Sequence, residues 1–336
     1  MKNQNILVVG ATGRVGREML SILQEIGVPA QNIGVVASER SVGQTILYGK
    51  NSLEVKDINS INFSEYDYAL FSAGSAVSAK YAPKVAESGC IVVDNTSFFR
   101  MKKDIPLIVP EINFDVLGRY NSKIISNPNC STIQMVMVLK PLHDTFGLQE
   151  VVVSTYQATS GAGQKGVDEL MEQTELVLHG KTATSHHFKR QIAFNIIPQI
   201  DEFSSSGYTK EELKMMNETK KILDKSDIII TATCVRVPVI VGHAVSVFAR
   251  FDKPVDIQLA YQVLSNFPGV KIIDNPERYE YATPIDCASK NDVYVSRLRK
   301  HPDMENALSF WCVADNVRKG AALNAIQIVQ RLVAQQ

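Results

Sequence analysis

Asn5-Ile6-Leu7-Val8-Val9 is a short apolar run that passes without a break into Gly10-Ala11-Thr12-Gly13-Arg14-Val15-Gly16. Val15, Met19, Leu20, Leu23 and Ile26 then recur at helical spacing on one face, and Gly27 with Pro29 closes the stretch. Strand, glycine turn and helix in this order constrain the fold more than anything else in the chain. They open a doubly wound α/β domain in which glycine backbone can approach a pyrophosphate at a helix N-terminus. The spacing is G-x-x-G-x-x-G, not the commoner G-x-G-x-x-G, so a glycine-rich turn without a ligand stands as the alternative. The flanking strand and helix favour dinucleotide binding, with Gly10, Thr12, Gly13, Arg14, Val15 and Gly16 as candidate contacts.

The following segments repeat the pattern. A second strand over 32–37 ends in Ser38-Glu39-Arg40-Ser41, about twenty residues past the glycines, where the ribose is read. An acidic residue there favours NAD and an arginine accommodates the 2′-phosphate of NADP. Ser38, Arg40 and Ser41 favour NADP, while Glu39 keeps NAD open. Tyr68–Phe71 leads into Ser72-Ala73-Gly74, and Ile91–Asp94 leads into Asn95-Thr96-Ser97. Small residues at the carboxyl ends of strands admit a cofactor.

Ile124-Ile125-Ser126-Asn127 is a further strand, and it delivers the chain to Pro128-Asn129-Cys130-Ser131-Thr132. Asn129 is a good N-cap, and Ile133 to Leu142 carry apolar residues at helical spacing. Cys130 therefore falls in a first helical turn, where unpaired N–H groups and the helix dipole favour a thiolate. A small buried cysteine beside a turn is the alternative.

The chain of 336 residues is long enough for two domains. Thirty-five basic and 35 acidic residues balance, which removes any charge argument for nucleic acid or an anionic membrane. The start of the chain has no signal-peptide layout, and no apolar run reaches transmembrane length. The five cysteines include no C-x-x-C pair, which points to a reducing, cytoplasmic setting without a disulfide frame or zinc site.

Past Cys130 the pattern changes. Residues 150–156, 228–235, 244–251, 292–298 and 308–313 read as longer, partly alternating strands, with helices at about 163–179, 209–224 and 256–266. The expected fold is α/β: an N-terminal Rossmann-like domain, 1–128, plus an α+β domain with a mostly antiparallel sheet, 129–316. A last helix, 317–336, carries an apolar face expected to pack back on the first domain. Ser154 to Gly163 is a strand running into a glycine turn, a second anion- or amide-binding corner that includes Ser160 and Gly161. Arg236 lies in an apolar strand and needs an anionic partner if buried. His243 starts the next strand. His186-His187 reads as a solvated loop with no metal partner nearby.

A dinucleotide fold with a helix-capped cysteine and a distant histidine points to aldehyde–acyl chemistry through a thioester. The chain resembles the aspartate-β-semialdehyde dehydrogenase family, in its bacterial branch, from Gly10 to Asn324. The landmarks are Gly10-Ala11-Thr12-Gly13-x-Val15-Gly16, Ser38-x-Arg40-Ser41, Val93-Asp94-Asn95-Thr96-Ser97-x-x-Arg100, Asn127-Pro128-Asn129-Cys130-Ser131-Thr132, Gln157-x-x-Ser160-Gly161-Ala162-Gly163, Arg236-Val237-Pro238, His243 and Asp315-Asn316-x-x-Lys319-Gly320. The resemblance implies reduction of L-aspartyl-4-phosphate by NADPH to aspartate semialdehyde and phosphate. That reaction is a common step towards lysine, diaminopimelate, methionine, threonine and isoleucine. It implies Cys130 as nucleophile, His243 as general acid/base with an ordinary pKa near 6.5, and Gln157 as orienter of the acyl group. Arg236 would hold the substrate α-carboxylate and Glu211 the α-ammonium. Arg100 and Lys214 would hold the phosphate beside Asn129, and Asn316 the nicotinamide end from the final helix. Glu211 and Lys214 stand three apart on a predicted helix, so both can face one site, or form an ordinary surface pair. A homodimer through the second domain is implied. The rivals are an N-acetylglutamyl-phosphate reductase, which has no need of an ammonium-binding carboxylate, and a non-catalytic NADP-binding protein.

Overall fold

The computed structural model describes residues 1–335, which divide into two compact units: Met1–Asn129 with the residues from Ala321 onward, and Cys130–Gly320. Asn129 thus belongs with the first unit and 317–320 with the second.

The first unit runs β1 (Ile6–Val9), α1 (Arg14–Glu25), β2 (Ile33–Val36), a hairpin of β3 (Thr45–Tyr48) and β4 (Asn51–Glu54), β5 (Tyr68–Phe71), α2 (Ser75–Glu87), β6 (Ile91–Asp94), α3 (Pro110–Asn113) and β7 (Ile124–Ser126). Its main sheet has five strands in the order β2-β1-β5-β6-β7, all parallel. β1 is apolar throughout because both its faces are covered. Ile6 and Val8 join the core built with Met19 and Leu23 of α1, while Leu7 and Val9 join the core built with Tyr81, Ala82 and Val85 of α2. This two-sided burial is what the unbroken apolar run encodes.

The second unit runs α4 (Cys130–Phe146), β8 (Leu148–Gln157), α5 (Gln164–Leu178), α6 (Lys210–Ile222), β9 (Ile229–Arg236), β10 (His243–Phe251), α7 (Ile257–Ser265), β11 (Val270–Ile272), β12 (Asp274–Asn275), β13 (Glu280–Tyr281), α8 (Pro284–Cys287), β14 (Val293–Lys300) and β15 (Ala307–Ala314). Its sheet order is β11-β14-β15-β10-β8-β9. β10 pairs antiparallel with β8 and β15, and β14 with β15, but β8–β9 and β11–β14 are parallel. The sheet is mixed. Alternation along β9, with Ile230, Ala232 and Cys234 buried and Ile229, Thr231 and Thr233 exposed, reflects one open face and says nothing about strand direction. α4, buried from Ser131 to Leu139, packs on β8, β10 and β15, with α6 and α7 against it.

After β15 the side chain of Asp315 accepts from Val317 N–H at 2.8 Å and Arg318 N–H at 3.0 Å. A π-helical turn, Arg318–Ala322, follows and leads into α9 (Leu323–Ala334). The regular helix therefore starts later than the apolar spacing predicts, because its first turn is wide. Leu323, Ala325, Ile326, Ile328 and Val329 complete the α1-side core of the first unit.

Candidate active site

In the first unit, Gly10 follows β1 with φ +92°, and a Cβ there would lie 2.5 Å from the Ser72 carbonyl oxygen. A Cβ on Gly16 would lie 2.2 Å from the Gly10 oxygen. The turn, the end of β5 and the start of α1 therefore close on one another only because side chains are missing. Beside them is a cavity of about 170 Å³ lined by Gly10, Ser38, Glu39, Asp57, Asn59, Ala73 and Tyr81, among others. It brings Gly10, Ser38 and Ala73 together. Asp57, Asn59 and Tyr81 carry no sequence motif; Tyr81 reaches them by donating to Asn59 Oδ1 at 3.0 Å. The corner offers glycine backbone suited to a dinucleotide's phosphates, with Ser38 and Glu39 where a ribose would be read. Asn95 accepts from Asn127 Nδ2 at 2.7 Å, and Asn324 donates to Asn127 Oδ1 at 2.7 Å, so a chain of amides, two of them fully buried, holds the end of β7. Arg100 is buried and donates to the Asn95 carbonyl at 2.9 Å.

In the second unit, strand register gathers the polar residues. Gln157 ends β8 and pairs with Arg236, which ends the parallel β9; β10 runs the other way and begins at His243, opposite Ala314 and next to the Ala244–Tyr156 pair. Three residues far apart in sequence so meet at one end of the sheet. Cys130 is the first residue of α4. A Cβ on Gly320 would lie 2.9 Å from the Cys130 Cβ, so the glycine leaves room around the thiol. The other four cysteines are buried. Burial pushes the Cys90 thiol up to about 12, the Cys287 thiol likewise, and the Cys234 and Cys312 thiols further still. Only Cys130 is partly open to solvent.

His243 is wholly buried. Its Nδ1 accepts from Ala158 N–H at 3.0 Å, which places the ring proton on Nε2, an atom with no partner among the described residues. Burial, and then the charge of Arg236, pull its pKa well below the usual 6.5, against a small opposing effect of the Gly242 backbone. The expectation of an ordinary histidine is overturned, because a desolvated ring beside a guanidinium stays neutral. Arg236 is 5% exposed and donates from Nη1 to the Ala158 carbonyl at 2.6 Å. Burial lowers its pKa, and the charges of Glu211 and Cys130 oppose the shift. A guanidinium stays charged regardless. Gly161 is part of the same corner: a Cβ there would lie 2.9 Å from both Arg236 Nη1 and His243 Nε2.

Gln157 is locked by its neighbours. Its Oε1 accepts from Thr155 Oγ1 at 3.0 Å and its Nε2 donates to Glu211 Oε1 at 3.1 Å. Thr155 in turn accepts from Val235 N–H at 3.2 Å. Glu211 sits in the first turn of α6, whose N-terminus carries a capping box of Thr209 and Glu212. Glu212 also accepts from Cys234 N–H at 3.0 Å, which ties the helix end to β9 and sets Glu211 beside Gln157. Lys214 pairs with Glu211 at 3.1 Å and with Asp201 at 2.8 Å. Burial pulls the Lys214 ammonium down, but the two carboxylates outweigh it and hold its pKa above the usual value. In the Glu211–Lys214 pair the carboxylate is buried and the ammonium is about a quarter exposed. Asp201, Thr155 and Glu212 escape motif reading, although Thr209-x-x-Glu212 is a capping signature in the sequence. Asn316 precedes the last helix instead of lying on it. Its Oδ1 accepts from Gly242 N–H at 2.9 Å and its Nδ2 donates to Ser160 at 2.9 Å, so it braces the turn into His243. Among the described residues no cluster of three or more histidine, cysteine or carboxylate groups could hold a metal, and no helix is long and apolar enough to cross a membrane.

A dinucleotide corner in one unit, and a helix-leading thiol among a buried arginine, histidine and amide in the other, define a thiol-bearing, nicotinamide-linked dehydrogenase. Two family models agree: residues 5–120 match the semialdehyde dehydrogenase NAD binding domain, and 139–319 the semialdehyde dehydrogenase dimerisation domain. The aspartate-semialdehyde dehydrogenase of Aquifex aeolicus is 48% identical over 98% of this chain and 97% of its own length. A crystal structure of aspartate semialdehyde dehydrogenase II from Vibrio cholerae, complexed with ASA, superposes with TM-score 0.96 at 44% identity over 99% of both chains. An NADP-bound aspartate semialdehyde dehydrogenase from Candida albicans aligns with TM-score 0.76 at 25% identity over 98% of both chains. The chain belongs to the aspartate-semialdehyde dehydrogenase family, whose members are oxidoreductases that bind a nicotinamide dinucleotide.

Proposed function

We propose that this protein, acting in the cytoplasm as a homodimer, reduces L-aspartyl-4-phosphate to aspartate semialdehyde with NADPH and runs the same step in reverse. The observation that carries the reading is the meeting of Gln157, Arg236 and His243 at one sheet end, in the unit whose first residue is Cys130. The thiolate of Cys130 attacks the β-carbonyl carbon; the C–S bond forms, the C–O bond to phosphate breaks, and phosphate leaves. Helix N–H groups and the Arg236 charge favour the thiolate. Arg236 presents its fork to the α-carboxylate and Glu211 receives the α-ammonium in place of Gln157 Nε2. Lys214, with Arg100 and Asn129, takes the phosphate. The dinucleotide, when bound, supplies a hydride. His243 holds the resulting tetrahedral oxygen through Nε2–H, a neutral donor, and Gln157 fixes the acyl group. Collapse breaks the C–S bond and returns the thiolate.

Ser38, Arg40 and Ser41 favour NADP over NAD. The dimer forms through the face of the second sheet opposite α4, where Val152, Tyr156 and Ile229 are exposed at 42%, 38% and 59%. Size-exclusion with light scattering should move Tyr156→Glu from dimer to monomer; an unchanged mass puts the interface elsewhere. The enzymatic test is phosphate-dependent reduction of NADP with aspartate semialdehyde. Cys130→Ala should lose about 10⁴-fold or more in turnover and still bind NADPH. Residual turnover near wild type removes Cys130 as nucleophile.

A further inference from the structure

α5 carries two buried polar side chains one turn apart, Glu169 at 4% and Gln173 at 1% exposure. Both direct their polar atoms at the irregular segment 184–193. Glu169 Oε2 accepts from the backbone N–H groups of His186, at 3.2 Å, and His187. Its Oε1 accepts from Phe188 N–H at 3.3 Å and from Gln173 Nε2 at 3.0 Å. Gln173 also donates to the Thr184 carbonyl at 2.9 Å and accepts from Ile192 N–H at 2.8 Å and Ala193 N–H at 3.2 Å. Three consecutive N–H groups converging on one carboxylate make an anion nest whose anion is supplied by the protein itself.

Burying a carboxylate is costly unless its hydrogen bonds are met. Here they are met by backbone, so the carboxylate dictates the path of the segment. What that path holds in place is Phe188. Its ring lies against Gly166, where a Cβ would come within 3.1 Å of Cζ, and its centroid lies 5.9 Å from the Arg236 Cζ. Leu170, Ile192, Ala193 and Ile197 pack with it. Arg236 therefore has two supports from its own unit, the Ala158 carbonyl at Nη1 and the Phe188 ring. An aromatic ring beside a guanidinium orients its plane and keeps water from it, which strengthens the hydrogen bonds left for a ligand.

We propose that Glu169 is a positioning residue for carboxylate recognition: by gathering the N–H groups of residues 186–188 it sets Phe188 beside Arg236 and so fixes the fork that receives the substrate α-carboxylate. The proposal rests on Arg236 being that clamp. Neither Glu169 nor Phe188 has a role at the thiol, so their effect belongs in substrate affinity and not in the chemical step.

The test is steady-state kinetics of aspartate semialdehyde oxidation by Glu169→Gln, Phe188→Leu, their double variant and Arg236→Lys, with melting temperatures alongside. Glu169→Gln and Phe188→Leu should each raise KM for the semialdehyde about tenfold, with kcat within about twofold and KM for NADP unchanged, the size expected of one displaced charge-assisted contact. The double variant should be no worse than the poorer single one, because both act along one path. Phe188→Leu acts downstream of the carboxylate and decides the matter should Glu169→Gln fail to fold. Multiplied effects in the double variant, or an unchanged KM in Phe188→Leu, overturn the proposal. Should Arg236→Lys raise KM while the other two leave it alone, only the role of Glu169 falls. An unchanged KM in Arg236→Lys overturns the clamp itself.

Discussion

The two units build their ligand corners by opposite means. The first removes side chains: Gly10 and Gly16 let a turn, a strand end and a helix start close to distances no Cβ tolerates. The second adds polar and charged side chains and then buries them: Arg236, Glu211 and His243 are each 5% exposed or less, with Gln157 and Thr155 bracing Glu211 and the Ala158 peptide bracing Arg236 and His243. A corner made of backbone recognises what every dinucleotide shares. A corner made of buried side chains recognises one arrangement of charges and has to be braced, as Glu212, Asn316 and Glu169 brace this one.

Adding one methyl to each corner is the sharpest way to break the contrast. Gly161→Ala puts a carbon 2.9 Å from both Arg236 Nη1 and His243 Nε2, in a place where the side chains are locked. Turnover should fall about 100-fold, as for a displacement near 1 Å of reacting groups, with NADPH affinity kept. Gly10→Ala forces a Cβ towards the Ser72 carbonyl at a φ that disfavours side chains. It should cost about 1–3 kcal/mol of stability and weaken NADPH binding, leaving the KM of the semialdehyde nearly unchanged. Fluorescence titration and steady-state kinetics on both variants decide the matter; if both lose the same ligand, the two corners are not separable.

A smaller effect concerns pH. Burial and Arg236 hold the folded pKa of His243 below its unfolded value of about 6.5. Between those values the unfolded chain binds more protons, so stability is full above about pH 6.5 and falls as pH drops towards the folded pKa. His143 is also lowered by burial and contributes with the same sign. Denaturant melts at pH 7.5 and 5.5 should show the fall, and His243→Gln should reduce it. An equal fall in the variant would mean that His243 is not held neutral.

How much of this is readable without coordinates follows from the same contrast. The β1–turn–α1 unit and Cys130 at a helix start are local, written in periodicity and punctuation, and the structure has them where the spacing predicts. The buried corner is not local. Alternation along β8 and β9 tells which side chains face inward, not that β9 runs parallel to β8, and only that register puts Gln157 beside Arg236. The neutral state of His243 depends on depth and on a charge seven residues away in sequence. Glu169 and Phe188 belong to a helix and an irregular segment with no motif, so nothing marks them until their hydrogen bonds are drawn. Thr209-x-x-Glu212 was the one local sign that the start of α6 is held in place.

Cys130, set at the head of α4, is the residue proposed to form the acyl bond. The most direct measurement is mass spectrometry of peptides from protein mixed with aspartate semialdehyde and NADP in the absence of phosphate, which lets oxidation proceed and leaves the acyl group with no acceptor but water. An aspartyl adduct on the peptide containing Cys130, missing from Cys130→Ala, is the predicted result. No adduct, or one on Cys90, Cys234, Cys287 or Cys312, would contradict it.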